Sequence, residues 1–279
     1  MKSLTLRRSL FIILLSLSNI CIADEPVQTK DIVQPEKPTW ELGVGLGSLS
    51  LPHYRGSDQR SNYVAPIPYL RYHGKRLRVD KEGGRFFFYN DENINIDIST
   101  AFAFPVDSDD NRAREGMTDL DPIIELGPRV EFKLYKSDDE NIRFRFALPL
   151  RAAFATDLSH TENIGWIFSP YVQLRYFNTG WETAVSLGPV WASEEYHDYF
   201  YEVAPQYATA TRPVYDAQSG YSGSRITLTL SKRFDKLWLG LFAKYDNLNN
   251  ATFIDSPLVK QKDSLMVGAA LSWVFKKSN

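Results

Sequence analysis

The sequence predicts an all-β fold, a transmembrane antiparallel β-barrel, and three observations point to it. Residues 142–154 read IRFRFALPLRAAF, so Ile142, Phe144, Phe146, Leu148, Leu150, Ala152 and Phe154 alternate with Arg143, Arg145 and Arg151. Successive side chains of a strand point to opposite faces, which gives this segment one face for hydrocarbon and one for water. The same period returns along nearly the whole chain beyond residue 40. Mean hydropathy is only −0.31. A barrel accounts for that value, because only alternate residues meet lipid. Aromatic residues make up 14% of the chain, as interfacial girdles require.

The start of the chain reads as an export address. Lys2, Arg7 and Arg8 form a basic region, residues 10–17 an apolar core too short to span a bilayer, and Cys21-Ile22-Ala23 a small-residue cleavage site. The expected organisation is a signal peptide at 1–23, a Pro-rich charged periplasmic leader at 24–39 and a barrel at 40–279. Cleavage after Ala23 would remove the only cysteine, and with it thiol catalysis and zinc-thiolate chemistry. Lys and Arg number 32 against 34 Asp and Glu, and no basic tail points to nucleic acid.

The period predicts rising strands at 40–51, 75–81, 93–104, 140–154, 180–193 and 236–248. Descending strands fall at 61–72, 85–89, 122–135, 163–177, 220–234 and 264–275. The total is twelve, an even number that returns the chain to the side of entry. Short connections at 73–74, 90–92, 136–139, 178–179 and 235 then face the periplasm, and long ones at 52–60, 106–121, 155–162, 194–219 and 249–263 face outside. Strands 75–81 and 85–89 are short for a span, which leaves a ten-stranded barrel with a folded insert as the alternative.

Register follows from charge, since a slip of one residue would move each Arg or Lys into lipid at a cost of about 2 to 4 kcal/mol. Glu125, Arg129, Glu131, Lys133, Arg143, Arg145, Arg151, Arg175 and Arg225 are therefore expected to face the lumen. Trp238 and Phe242 are expected inside as well. A net basic lumen suits either internal ion pairing or a narrow channel for small anionic solutes.

Several loop features carry weaker alternatives. Asp107-Ser108-Asp109-Asp110-Asn111 superficially suggests a calcium loop but lacks glycine at the sixth place and glutamate at the twelfth. His53, Ser57, Ser159, His160 and His197 are chemistry-bearing residues in external loops, without the base and orienting group that a nucleophile needs. The reading is therefore non-enzymatic, with no catalytic residue, cofactor or metal. The aromatic loop holding Tyr196, Tyr199, Phe200, Tyr201, Tyr207 and Tyr215 is read as a lid folded over the barrel mouth, with a surface adhesin as the alternative.

The chain also resembles the MipA/OmpV family of outer-membrane proteins. The resemblance lies in Leu51-Pro52-His53-Tyr54-Arg55-Gly56-Ser57, Pro66-Ile67-Pro68-Tyr69, Asp121-Pro122 leading to Gly127-Pro128, Tyr199 to Val203, and Asp255-Ser256-Pro257. It covers nearly all of 40–275. The resemblance implies a Gram-negative outer-membrane scaffold that holds a murein hydrolase and a murein synthase together, embedded among lipid and lipopolysaccharide, and it brings no catalytic residue. Oligomeric state is left open.

Overall fold

In the computed structural model, residues 39–81, 83–157 and 159–278 are described. The expected signal peptide and all but the last residue of the expected leader lie outside them. The barrel strands are β1 (Trp40–Pro52), β2 (Arg60–His73), β3 (Leu77–Asp80), β4 (Gly83–Asn90), β5 (Ile94–Ala103), β6 (Ile123–Lys136), β7 (Ile142–Thr156), β8 (Thr161–Phe168), β9 (Tyr171–Asn178), β10 (Trp181–Ala192), β11 (Gly220–Phe234), β12 (Leu237–Asn247) and β13 (Asp263–Lys277). Neighbours in sequence pair antiparallel, except β8 and β9, which do not pair with each other, and β13 pairs with β1 to close the sheet.

The closed barrel has twelve spans, because β8 and β9 are two halves of one. Both halves lie between β7 and β10 in an unshifted register: Trp191 faces Phe168 above the break, and Leu187 faces Val172 below it. Pro170 therefore falls opposite Pro189, where neither residue has an N–H to donate. On the other side Pro149 is opposite Ser169, and Ser169 donates to its carbonyl at 3.3 Å. Period alone makes 163–177 one strand; the ladder breaks there because prolines meet at one level.

The face pattern follows the charge argument. Leu42, Val44 and Leu46 of β1, Ile124 and Leu126 of β6, and Ile226 and Leu228 of β11 are exposed on the outer surface. Glu125, Arg129 and Glu131 of β6 are buried on the opposite face. Trp166, Trp273 and Phe275 are exposed near strand ends, the positions of interfacial anchors.

Strands β3 and β4 belong to the wall, so the insert alternative is not what forms. They are short for a specific reason: the Lys81 tip turns into the lumen, where its Nζ lies 2.9 Å from Glu182 and donates to Ser231 Oγ at 2.7 Å.

Candidate functional site

Among the described residues, two regions hold the buried polar chemistry, the lumen and the external mouth. In the lumen, Arg129 donates to Asp97 Oδ2 at 2.7 Å, Arg145 to Glu131 at 3.0 Å and Arg151 to Glu125 at 2.9 Å. Arg175 lies 2.7 Å from Glu182, which also meets Lys81. Arg225 donates to Asp246 at 2.8 Å, and Arg55 approaches the same carboxylate at 3.2 Å. Arg233 and Arg71 share Glu41 at 3.4 and 3.8 Å. Asp97 is fully buried, so its charge depends on the fork-shaped partner that arginine provides.

The sequence-selected charges thus divide into two groups. Glu125, Arg129, Glu131, Arg145, Arg151, Arg175 and Arg225 meet inside the barrel. Lys133 and Arg143 do not join them; they stand exposed at the end bearing the short turns. Lys133 donates to Asn90 at 3.2 Å, and Arg143 pairs with Glu140 at 3.3 Å while covering the Phe177 ring. Both strands extend past the lumen there, so the period continues but its inner face meets water.

The external mouth is roofed by loops. Residues 193–219 begin with helix α1 (Glu194–Tyr201), capped where Tyr196 N–H meets Ser193 Oγ. Helix α1 lies against β8, and Tyr196 reaches down to donate to Glu125 at 3.2 Å. Tyr201 and Phe253 stack at the centre of an apolar cluster that also contains Tyr54, Leu120, Val203, Leu248 and Leu258. Arg114 is buried and laces the roof by donating to the carbonyls of Thr118 at 3.0 Å and Phe200 at 3.1 Å.

The loop residues behind the family resemblance gather in this roof and its supports, while Pro66-Ile67-Pro68-Tyr69 lie in β2 and Gly127-Pro128 in β6. Tyr54 donates to Leu258 O at 2.8 Å, and burial pushes its phenol up to about 12. Gly56 has φ of 91°, a conformation that favours glycine. Its N–H donates to Ser264 Oγ at 2.8 Å and its carbonyl accepts from Lys260 at 2.7 Å. Ser57 accepts from Asn111, and Ser256 donates to Tyr201 O at 2.7 Å. The N–H of Asp121 donates to Tyr199 Oη at 2.8 Å. Pro52 is buried, Pro122 and Pro257 half-buried and Asp255 exposed. Gly127 sits in β6, where a Cβ would lie 2.1 Å from the Leu150 carbonyl, beside outward-facing Pro128.

His197 and His53 have local partners, as does Ser159. His197 is buried, with Nδ1 2.6 Å from Gln218 O and Nε2 beside Ser222 Oγ. A carbonyl can only accept, so Nδ1 carries the proton and Nε2 accepts from the serine. His53 meets Asn111, and Ser159 turns to Asp157 at 2.8 Å. Among the described residues no group of three or more His, Cys, Asp or Glu is placed to hold a metal.

Sequence reasoning missed Arg55, Arg114, Asn111 and the inward turn of Lys81. Arg55, Arg114 and Asn111 lie in aperiodic loops, where Arg55 stood out only as part of the family segment, Asn111 only as the end of the acidic run and Arg114 not at all; for Lys81 the signal was two strands too short to span.

The chain matches the family described as MltA-interacting protein MipA over residues 44–275. It is 24% identical over 247 residues to outer membrane protein Omp26La of Vibrio anguillarum, covering 85% of this chain and 86% of that protein. It is 25% identical over 244 residues to the MltA-interacting protein of Escherichia coli (strain K12), covering 85% and 90%. Among solved structures, an outer-membrane channel from Pseudomonas putida F1 aligns with a TM-score of 0.44 and 11% identity, over 88% of this chain and 100% of that one. The chain is an outer-membrane β-barrel and belongs to the MltA-interacting protein (MipA) family.

Proposed function

We propose that this barrel is a non-enzymatic scaffold that holds murein-remodelling enzymes, a lytic transglycosylase and a murein synthase, at the outer membrane. The observation that supports it best is the pairing of the lumen charges beneath a roof of packed loops. Arginines committed to Asp97, Glu125, Glu131 and Glu182 are not free to lower the barrier for a passing anion, as a narrow anion channel would need. The aromatic rings of 193–219 are engaged in the roof, which argues against their use as an adhesive surface. The name of the Escherichia coli relative supports the choice of partner. Among the described residues, the surfaces that face a periplasmic enzyme are the short turns, with the charged side chains of Asp91, Lys136 and Glu140.

Binding and conduction measurements test this together. The detergent-purified barrel, immobilised through its roof, is titrated with a lytic transglycosylase and a murein synthase of the same organism. The scaffold reading expects saturable binding and a silent planar bilayer. Steady unit currents abolished by Arg143→Glu with Arg145→Glu, and no binding of either enzyme, would replace it with the channel.

A further inference from the structure

We infer that the barrel wall has a lateral window toward the outer leaflet, and that it admits the single acyl chain of an anionic amphiphile, a long-chain carboxylate, into the lumen. This goes beyond the scaffold reading and does not depend on it. The window follows from pairing. On the side away from β1, β2 pairs with β3 only at Tyr72 and His73, so residues 60–71 have no ladder partner there. Across the gap, β5 pairs with β4 only at residues 95–98, which leaves 99–103 without one on that side. The tip of the β3–β4 hairpin forms the lower edge. Above it the rings of Tyr63 on β2 and Phe104 just after β5 stack across the gap, 5.1 Å apart, so that tying these two positions together would seal it.

The composition of β2 fits an open edge. Residues 62–66 are all exposed, where a closed wall would alternate. His73 N–H donates to Thr39 O on the β1 side, and N–H directions alternate along a strand. Positions 66 and 68 therefore point their nitrogens into the gap. Both are proline, which has no N–H to leave unsatisfied and is confined within sheets to such edges. On the β5 side only the external half of the strand, residues 99–103, is unpaired, so the gap lies at the level of the outer leaflet.

Behind the window lies a cavity of about 660 Å³, within the range of small-molecule pockets. Tyr63, Ile67 and Phe104 line it at the window, and Trp238 and Phe242 line it deeper. Lys244 also lines it, and its ammonium makes no hydrogen bond or ion pair with the described residues, unlike the arginines around it. A chamber that joins aromatic and aliphatic walls to arginines already held by carboxylates, and that leaves one ammonium without such a partner, suits a hydrocarbon tail with an acidic head.

Photo-crosslinking of the full barrel in nanodiscs tests this, with a diazirine-bearing palmitic acid as probe and the corresponding alcohol as its neutral control. In a Cys21→Ser background, Tyr63→Cys with Phe104→Cys is either joined by a short thiol crosslinker or capped at each thiol. The capped barrel is expected to be labelled at Trp238, Phe242 and Gly268, and joining the thiols is expected to abolish that labelling. Lys244→Gln is expected to lose labelling by the acid and keep labelling by the alcohol. Label confined to outward-facing Val267 and Leu271, or unchanged by joining the thiols, would overturn the window. Equal loss of both probes in Lys244→Gln would overturn the role of the head group.

Discussion

The rings of Tyr201 and Phe253 lie face to face, 3.7 Å between centroids and 5° between planes, although one ends helix α1 and the other lies in the loop after β12. Phe253 is fully buried, and His197 meets its edge at 4.8 Å. Replacing a buried phenylalanine by alanine removes about 3–5 kcal/mol through lost contact and a cavity. Phe253→Ala is expected to loosen the roof while the barrel stays folded. Limited proteolysis should cut within 193–219 and 248–262, with the strands still protected.

Breaking a lumen pair should cost more than removing it. Asp97→Asn leaves Arg129 buried without its counter-charge, a loss of about 3–5 kcal/mol. Asp97→Leu with Arg129→Met removes both charges and is expected to recover much of that loss. Urea unfolding followed by the gel shift between folded and unfolded barrel reads the order of the three proteins.

The roof should respond to pH through two adjacent residues with opposite signs. Burial holds the His197 imidazole below its usual 6.5, so its contribution is complete above pH 6.5 and is lost as pH falls through the lowered value. Burial pushes the Asp198 carboxyl up to about 6, so its contribution is complete below pH 3.8 and is lost as pH rises through about 6. His197→Gln should leave the raised carboxyls of Asp198 and Asp121 to set the response around α1, and hydrogen-exchange protection of residues 199–203 should rise on acidification from pH 7.5 to 5. In Asp198→Asn the same change should lower protection.

Two glycines of similar appearance should behave differently. A Cβ at Gly127 would press on the Leu150 carbonyl, in backbone that cannot swing away. Gly127→Ala is expected to reduce the yield of folded barrel. At Gly84 a Cβ meets nothing within 4 Å, and Gly84→Ala should assemble like the parent. Comparison of membrane-extracted protein by the same gel shift distinguishes them.

The strands were legible because lipid enforces a period of two. Along β11, Arg225, Thr227 and Thr229 alternate with Ile226 and Leu228, and only one register keeps arginine out of hydrocarbon. The division at Pro170 was not legible: it arises from Pro189 on another strand, and a proline's cost depends on its neighbour. The inner charges of β6 were readable by period, whereas Arg55 reaches Asp246 from a loop with no period at all. Lys133 and Arg143 show the limit of parity, which assigns a face but not the height at which that face leaves the lumen.

The hydrogen bond from Tyr54 to Leu258 joins the loop after the first strand to the loop before the last. Those loops become neighbours only when β13 docks on β1, so this latch is fastened after the circle is complete. A chain inserted strand by strand would carry an unfastened, protease-sensitive cap until its final step, and cap protection would mark the moment at which biogenesis ends.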